Sequence, residues 1–229
     1  MTTVLVTGAN RGIGLEFVKQ YAKDGAKVIA CAREPARADA LKALAGKQGQ
    51  IEIHALDTSD FKACAALGKQ LASEAIDILI NNAGYYGPKR QSADEMDFEG
   101  WAYTLAVNTM GPLAVAQAFR ENLKRGTEKK LVTITSGMAS TAETEGSYLA
   151  YRSSKAAVNN VMRNVAIGWR GEGIISVVLS PGWVRTDMGG PSASLSPEES
   201  VSGMRKVIVG LTLADSGKFL TWQGQERPW

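Results

Sequence analysis

The chain has 229 residues, 45% of them apolar, enough to bury the core of a large α/β domain. A formal net charge of +3, with lysines and arginines scattered, excludes a nucleic-acid surface, and no apolar run approaches the ~20 residues needed to cross a membrane. Cys31 and Cys64 form no CxxC pair, no signal peptide precedes them, and the lone His54 has no partners for a metal site, so a reduced, cytoplasmic protein without a metal is expected.

Short β-branched runs alternate with longer helical patterns along the chain. Residues 3–7 read as a buried strand, and residues 12–24 as a helix stopped by Gly25. A strand at 27–32 precedes a helix at 35–45, opened by Pro35 in its first turn and followed by Gly46. Next come a strand at 50–56 and a helix at 59–73, capped by Thr58 or Ser59. A fourth strand at 76–80 leads into a helical stretch from 92 to 124, interrupted near Gly111-Pro112. The rest reads as strand 130–135, long helix 147–170, strand 174–179, helix 197–209 and a short strand at 218–220.

This alternation predicts a Rossmann-type doubly wound parallel sheet of about seven strands with helices on both faces. Val4-Leu5-Val6 and the run 76–80 are apolar enough to be buried on both faces, as parallel strands are. No linker or low-complexity segment divides the chain, so a single domain is expected over 1–229. The loop 182–196, rich in Gly, Ser and Pro, follows a strand at the carboxyl edge, where ligands bind in such sheets, and reads as a mobile lid.

The first strand runs into Thr7-Gly8-Ala9-Asn10-Arg11-Gly12-Ile13-Gly14. Gly8 allows the tight turn, Gly12 lets the backbone approach a pyrophosphate, and Gly14 lets the helix pack closely on the sheet, with the helix amino terminus drawing the negative charge. The second strand ends at Ala32-Arg33. Arginine there suits the 2′-phosphate of NADP(H), and Arg11 is a second cation; Glu34, one position on, is the kind of residue that meets a ribose in an NAD(H) site. Tyr151 and Lys155 stand at i and i+4, on one helix face. An ammonium beside a phenol favours the phenolate, so the pair predicts a tyrosine whose pKa falls below its usual value of about 10 and which trades protons near neutrality.

With these residues in place the chain resembles the short-chain dehydrogenase/reductase family over nearly its whole length. Thr7 to Gly14 matches the family's TGxxxGxG turn, Asn81-Asn82-Ala83-Gly84 its NNAG motif, and Asn108, Ser136, Tyr151 and Lys155 its Asn-Ser-Tyr-Lys tetrad. Pro181-Gly182 followed by Thr186 matches the segment that holds the nicotinamide, and Asp57 stands where the family's aspartate meets the adenine. The run 181–190 and the ending 222–229 look like the sniffer-type carbonyl reductases and the bacterial C-factor proteins. The gap from Ser136 to Tyr151 is two residues longer than the commonest family spacing, so Ser140 is the alternative serine; Tyr148 is a rival tyrosine without a lysine four residues on.

The resemblance implies hydride transfer between NADP(H), or less readily NAD(H), and a small carbonyl or alcohol substrate. It implies that Tyr151 donates the proton, that Ser136 holds the substrate oxygen, that Lys155 tunes Tyr151 and binds the nicotinamide ribose, and that Asn108, turned by a local break in its helix, holds a water reaching Lys155. For the cofactor it implies Gly8, Asn10, Arg11, Gly12, Ile13, Gly14, Arg33, Asp57, Thr58, Asn82, Ala83, Gly84, Tyr151, Lys155, Pro181, Gly182, Val184 and Thr186. Tyr85, Tyr86, Trp183 and Met188 are candidates for an apolar substrate wall. The alternative function is a C-factor-like signalling or nucleotide-sensing protein with little turnover. Pairing through the long helices implies a homodimer.

Overall fold

A computed structural model describes residues 1–47 and 50–229 of the chain. The apolar runs form strands β1 (Thr3–Thr7), β2 (Lys27–Ala32), β3 (Ile51–Ala55), β4 (Ile78–Asn81), β5 (Lys130–Ile134), β6 (Ile175–Ser180) and β7 (Phe219–Thr221). They pair in the order β3-β2-β1-β4-β5-β6-β7, every neighbour parallel. The seven-stranded parallel sheet expected from the sequence is therefore present. The strand order reverses between β1 and β4, which opens a crevice at their carboxyl ends.

Because side chains alternate along a strand, each strand feeds two cores. Val4 and Val6 face one layer, where Phe17 of α1 (Gly12–Lys23), Leu41 of α2 (Asp39–Ala45) and Met204 of α8 (Pro197–Gly210) pack. Leu5 faces the other, with Cys64 of α3 (Phe61–Gln70), Val115 of α5 (Gly111–Ala118), Leu123 of α6 (Arg120–Arg125) and Met162 of α7 (Leu149–Trp169). Phe17, Phe119 and Phe219 are fully buried, and each such side chain contributes about 1.5–3 kcal/mol on leaving water. Among the described residues no helix is long and apolar enough to cross a membrane.

Several boundaries differ from the sequence reading. The helix expected over 35–45 is a 3₁₀ turn (Pro35–Arg37) followed by α2. The cap of α3 is neither Thr58 nor Ser59 but Asp60, whose Oδ1 accepts from the backbone N of Lys62 and Ala63, each at 3.0 Å. The stretch 92–124 begins as helix only at α4 (Phe98–Leu105), capped by Asp97. Its interruption falls before Gly111-Pro112, as a π-turn over Ala106–Met110. Pro112 has no N–H for the carbonyl of residue 108, so the ladder widens there and proline occupies the first turn of α5. Gly111 sits against Thr58: a Cβ at 111 would stand 2.7 Å from the Thr58 carbonyl oxygen.

The long helix α7 starts at Leu149 rather than 147, because Tyr148 takes the left-handed conformation with φ 55°. α8 opens with a reciprocal cap between Ser196 and Glu199.

Candidate active site

A cleft of about 1010 Å³ runs along the carboxyl ends of the strands. Its floor begins at the glycine turn. Gly8 and Gly12 adopt φ of +64° and +53°, conformations that a side chain resists. A Cβ on Gly8 would stand 2.8 Å from Ala83 Cα, and one on Gly14 would strike the Gly8 carbonyl oxygen. Arg11, the residue before α1, makes no side-chain cap, so the first N–H groups of that helix are open toward the cleft. This cradle fits the pyrophosphate of a dinucleotide.

The loop after β4 is stitched to this turn. Thr7 Oγ1 accepts from Asn82 N (3.0 Å) and Ala83 N (3.1 Å), and Asn82 Nδ2 donates to the carbonyl oxygens of Thr7 (3.0 Å) and Gly8 (3.1 Å). The two loops flanking the crevice thus hold one another by four hydrogen bonds. At one end of the cleft Arg33, Glu34 and Arg37 gather after β2. Arg33 Nη1 donates to the Tyr103 hydroxyl at 3.3 Å, and Arg37 pairs with Glu34 at 3.1 Å. Asp57 lines the same end, one carboxylate oxygen accepting from Ser59 N and Oγ. Arg11 pairs across the mouth with Asp187 at 2.6 Å; both are exposed, so the pair contributes at most about 1 kcal/mol.

At the other end Tyr151 and Lys155 project from one face of α7, as their spacing predicts, and both are buried. Lys155 Nζ donates to the Ile134 carbonyl at 3.0 Å and lies 5.9 Å from the Tyr151 ring centre. Burial pushes the Tyr151 phenol up to about 12; the Ser136 hydroxyl beside it pulls the other way, and Tyr86 adds a small upward push. Burial alone drives Lys155 down to about 8. The expected lowering of the Tyr151 pKa by Lys155 is therefore reversed: loss of water disfavours the charged form of each group. A phenol with so high a pKa holds its proton throughout the neutral range.

Asn108 lies within the π-turn, fully buried. Its Oδ1 accepts from Tyr85 N at 2.8 Å, and its Nδ2 donates to Tyr85 O at 2.7 Å and Ser154 Oγ at 2.9 Å. Gly84 lies beside both groups: a Cβ there would stand 3.6 Å from Asn108 Oδ1 and 3.6 Å from Lys155 Nζ, in ordinary contact with each. Ser136 caps the turn Gly137–Ala139, its Oγ accepting from Met138 N at 3.1 Å while facing the phenol. The alternative serine, Ser140, donates instead to the Trp229 carbonyl at 3.3 Å. The rival Tyr148 is exposed, its ring 5.2 Å from that of Tyr86, which in turn stacks 4.8 Å from Tyr151.

Most of the residues expected at a cofactor line the cleft: Gly8, Asn10, Arg11, Gly12, Ile13, Gly14, Arg33, Asp57, Thr58, Asn82, Ala83, Gly84, Tyr151, Lys155, Pro181 and Thr186. Gly182 and Val184 do not line it. Gly182 turns with φ +79° against Leu195 and Trp222, and Val184 bridges to Leu195. The loop 182–196 is tied to itself by Trp183 Nε1 to Gly189 O (2.8 Å) and Arg185 Nη1 to Ala193 O (2.9 Å). Arg37, Tyr103 and Asp187 join the lining without having been singled out in the sequence. Arg37 could have been found, four residues after Arg33 and in the first turn after Pro35; the other two are brought in by tertiary packing.

The chain matches the family described as short chain dehydrogenase over residues 2–195. It is 42% identical to the C-signal of Myxococcus xanthus over 165 residues, which cover 72% of this chain and 99% of that protein. Among solved structures it is similar to the carbonyl reductase Sniffer of D. melanogaster, with a TM-score of 0.93, 29% identity and 100% of both chains covered. It is also similar to an NADPH-bound carbonyl reductase from chicken fatty liver, with a TM-score of 0.92, 36% identity, and 100% of this chain and 99% of that one covered.

The burial of Lys155 has a direct consequence for its titration. In the protein alone Lys155 releases its proton near pH 8, well below the usual 10.5, so the amine is charged below that pH and neutral above it. NMR titration of ¹³Cε-labelled lysine, with Lys155→Met to assign the resonance, reads this midpoint; a midpoint at or above that of a free lysine would contradict it.

Proposed function

Because the chain belongs to the short-chain dehydrogenase/reductase family of oxidoreductases, we propose that it transfers a hydride between NADP(H) and a small carbonyl or alcohol compound, with Asn108, Ser136, Tyr151 and Lys155 as its working residues. The observation that carries this reading is the burial of Tyr151 and Lys155, with Ser136 against the phenol, in the same cleft as the glycine cradle.

When bound, the nicotinamide supplies the hydride. The chain's residues do the rest. Gly8 to Gly14 and the open end of α1 hold the pyrophosphate. Arg33 and Arg37 meet the 2′-phosphate, which favours NADP(H) over NAD(H), and the NADPH in the chicken carbonyl reductase supports the same choice. Thr186 and Pro181 flank the nicotinamide end. Ser136 donates a hydrogen bond to the substrate carbonyl oxygen and stabilises its growing negative charge. Tyr151, protonated at neutral pH, gives its proton to that oxygen. Lys155 binds the ribose and steadies the phenolate left behind, and a water held by Asn108 would link Lys155 to solvent, the source of the proton returned to the pair. Tyr85 and Met188, partly exposed along the cleft, suit an apolar substrate, whereas Trp183 does not line it.

The relationship to the C-signal favours one second reading, a nucleotide-binding signalling protein with little turnover. NADPH consumption with a panel of aldehydes, ketones and quinones separates the two. A single cytoplasmic domain and a homodimer complete the proposal. Phe98, Met110 and Ile167 stand exposed on the helices that would pair, and light scattering reads the mass.

Tyr151→Phe lowers kcat for carbonyl reduction by about 10²–10⁴-fold, the scale of a lost general acid, with NADPH affinity within a few-fold of the wild type. Steady-state kinetics and a fluorescence titration check both parts, and unchanged turnover would sink the mechanism. Arg33→Ala weakens NADPH by roughly ten- to a hundredfold, as loss of a charged hydrogen bond does, and leaves NADH nearly untouched. Calorimetry with both nucleotides reads the difference; equal losses for the two would remove Arg33 from the phosphate.

A further inference from the structure

The amino end of α7 is built unusually for a helix that carries reactive groups. The first N–H groups of a helix need partners from outside its own ladder, and a short polar side chain at the N-cap ordinarily provides one. Here the N-cap is Tyr148, in the left-handed conformation and with no side-chain cap bond. The partner comes instead from Gln91, distant in sequence and buried. Its backbone carbonyl accepts from Leu149 N at 3.0 Å, and its side-chain Oε1 accepts from Tyr151 N at 3.1 Å. The other half of the same amide points back into its own loop: Nε2 donates to the Tyr86 carbonyl at 3.0 Å and to the Pro88 carbonyl at 2.8 Å.

The intervening Gly87 is shaped for this contact. Its φ is +96°, and a Cβ there would lie 2.9 Å from Gln91 Oε1 and 3.0 Å from Nε2. The loop so fixed carries Tyr86, whose ring packs 4.8 Å from that of Tyr151, and Tyr85, whose backbone N–H and carbonyl are both held by Asn108. One amide thus joins the backbone of Tyr151 to the strip of chain that walls its ring.

We propose that Gln91 is a positioning residue that caps α7 from outside and sets the Tyr151 side chain against Tyr86. The proposal rests on Tyr151 being the proton donor. It assigns Gln91 no contact with substrate or cofactor. The precise distance from the phenol to the substrate oxygen depends on it, because misplacement of a reacting group by about 1 Å can cost on the order of a hundredfold in rate. NADPH affinity does not depend on it, since the glycine cradle and Arg33 lie at the other end of the cleft.

Gln91→Met keeps the volume and removes all three side-chain hydrogen bonds. The expected result is a kcat lower by roughly ten- to a hundredfold with the NADPH dissociation constant within twofold. In the protein without nucleotide, hydrogen exchange at the Tyr151 amide rises by about tenfold. Gln91→Glu provides a second reading if Gln91→Met folds poorly. Its carboxyl, facing the Tyr86 and Pro88 carbonyls, imitates the amide only when protonated, so kcat is close to wild type in acid and falls as pH rises through the raised carboxyl pKa. A Gln91→Met protein with wild-type kcat or unaltered exchange at Tyr151, or a Gln91→Glu pH profile superimposable on the wild type, overturns the inference. Absence of NADPH turnover in the wild-type protein would contradict the proposed reaction itself, whereas exchange at Tyr151 still reports on the cap.

Discussion

Two ionisable side chains, Tyr151 and Lys155, are taken out of water one helical turn apart, and the low dielectric around them moves their pKa values in opposite directions, each in favour of the uncharged form. A phenol held protonated beside an amine that gives up its proton readily is an unstable arrangement on its own, since each group would be better solvated outside. The fold keeps them inside by fixing their surroundings rather than by pairing them. Lys155 is held by the Ile134 carbonyl at the end of β5, and Tyr151 by the stack with Tyr86 and by Gln91 at its backbone. These anchors lie at the carboxyl end of β5 and in the chain that follows β4, so the sheet order decides where the chemistry can be.

The same edge supplies the cradle. The four hydrogen bonds between Thr7-Gly8 and Asn82-Ala83 lock the loops after β1 and β4 together at the reversal of strand order. The Asn82–Gly84 turn then does double duty. It closes one side of the pyrophosphate cradle, and it sets Gly84 beside both Lys155 and Asn108. The π-turn over Ala106–Met110 presents Asn108 to that point and to Tyr85. Position, burial and access therefore come from different elements that meet at one point.

The sheet was legible in the sequence because its strands are continuous apolar runs with few competing patterns, and Val4 to Val6 and Ile78 to Ile80 declare themselves buried on both faces. The Tyr151–Lys155 face was legible because an i, i+4 spacing fixes geometry locally. What escaped depends on distant neighbours. The break near Gly111-Pro112 was visible, but not its place one turn earlier as a π-turn over Ala106–Met110, nor the contact of Gly111 with Thr58. The cap of α3 passed to Asp60 because its carboxylate reaches two backbone N–H groups at once. Gln91 and Tyr103 carry no local signature at all. The direction of the Tyr151 pKa was misread for a related reason: spacing reveals the neighbouring charge, whereas the larger effect, desolvation, is a property of the packed protein.

The function proposed for this buried pair requires that hydride transfer occur above it. The most direct measurement uses NADPH with both hydrogens at C4 of the nicotinamide replaced by deuterium, mixed with a panel of aldehydes and ketones and followed by mass spectrometry of the products. Transfer predicts an alcohol with one deuterium on the carbon that was the carbonyl and a hydroxyl proton drawn from the solvent. Binding of the nucleotide with no deuterium delivered to any member of the panel would contradict it.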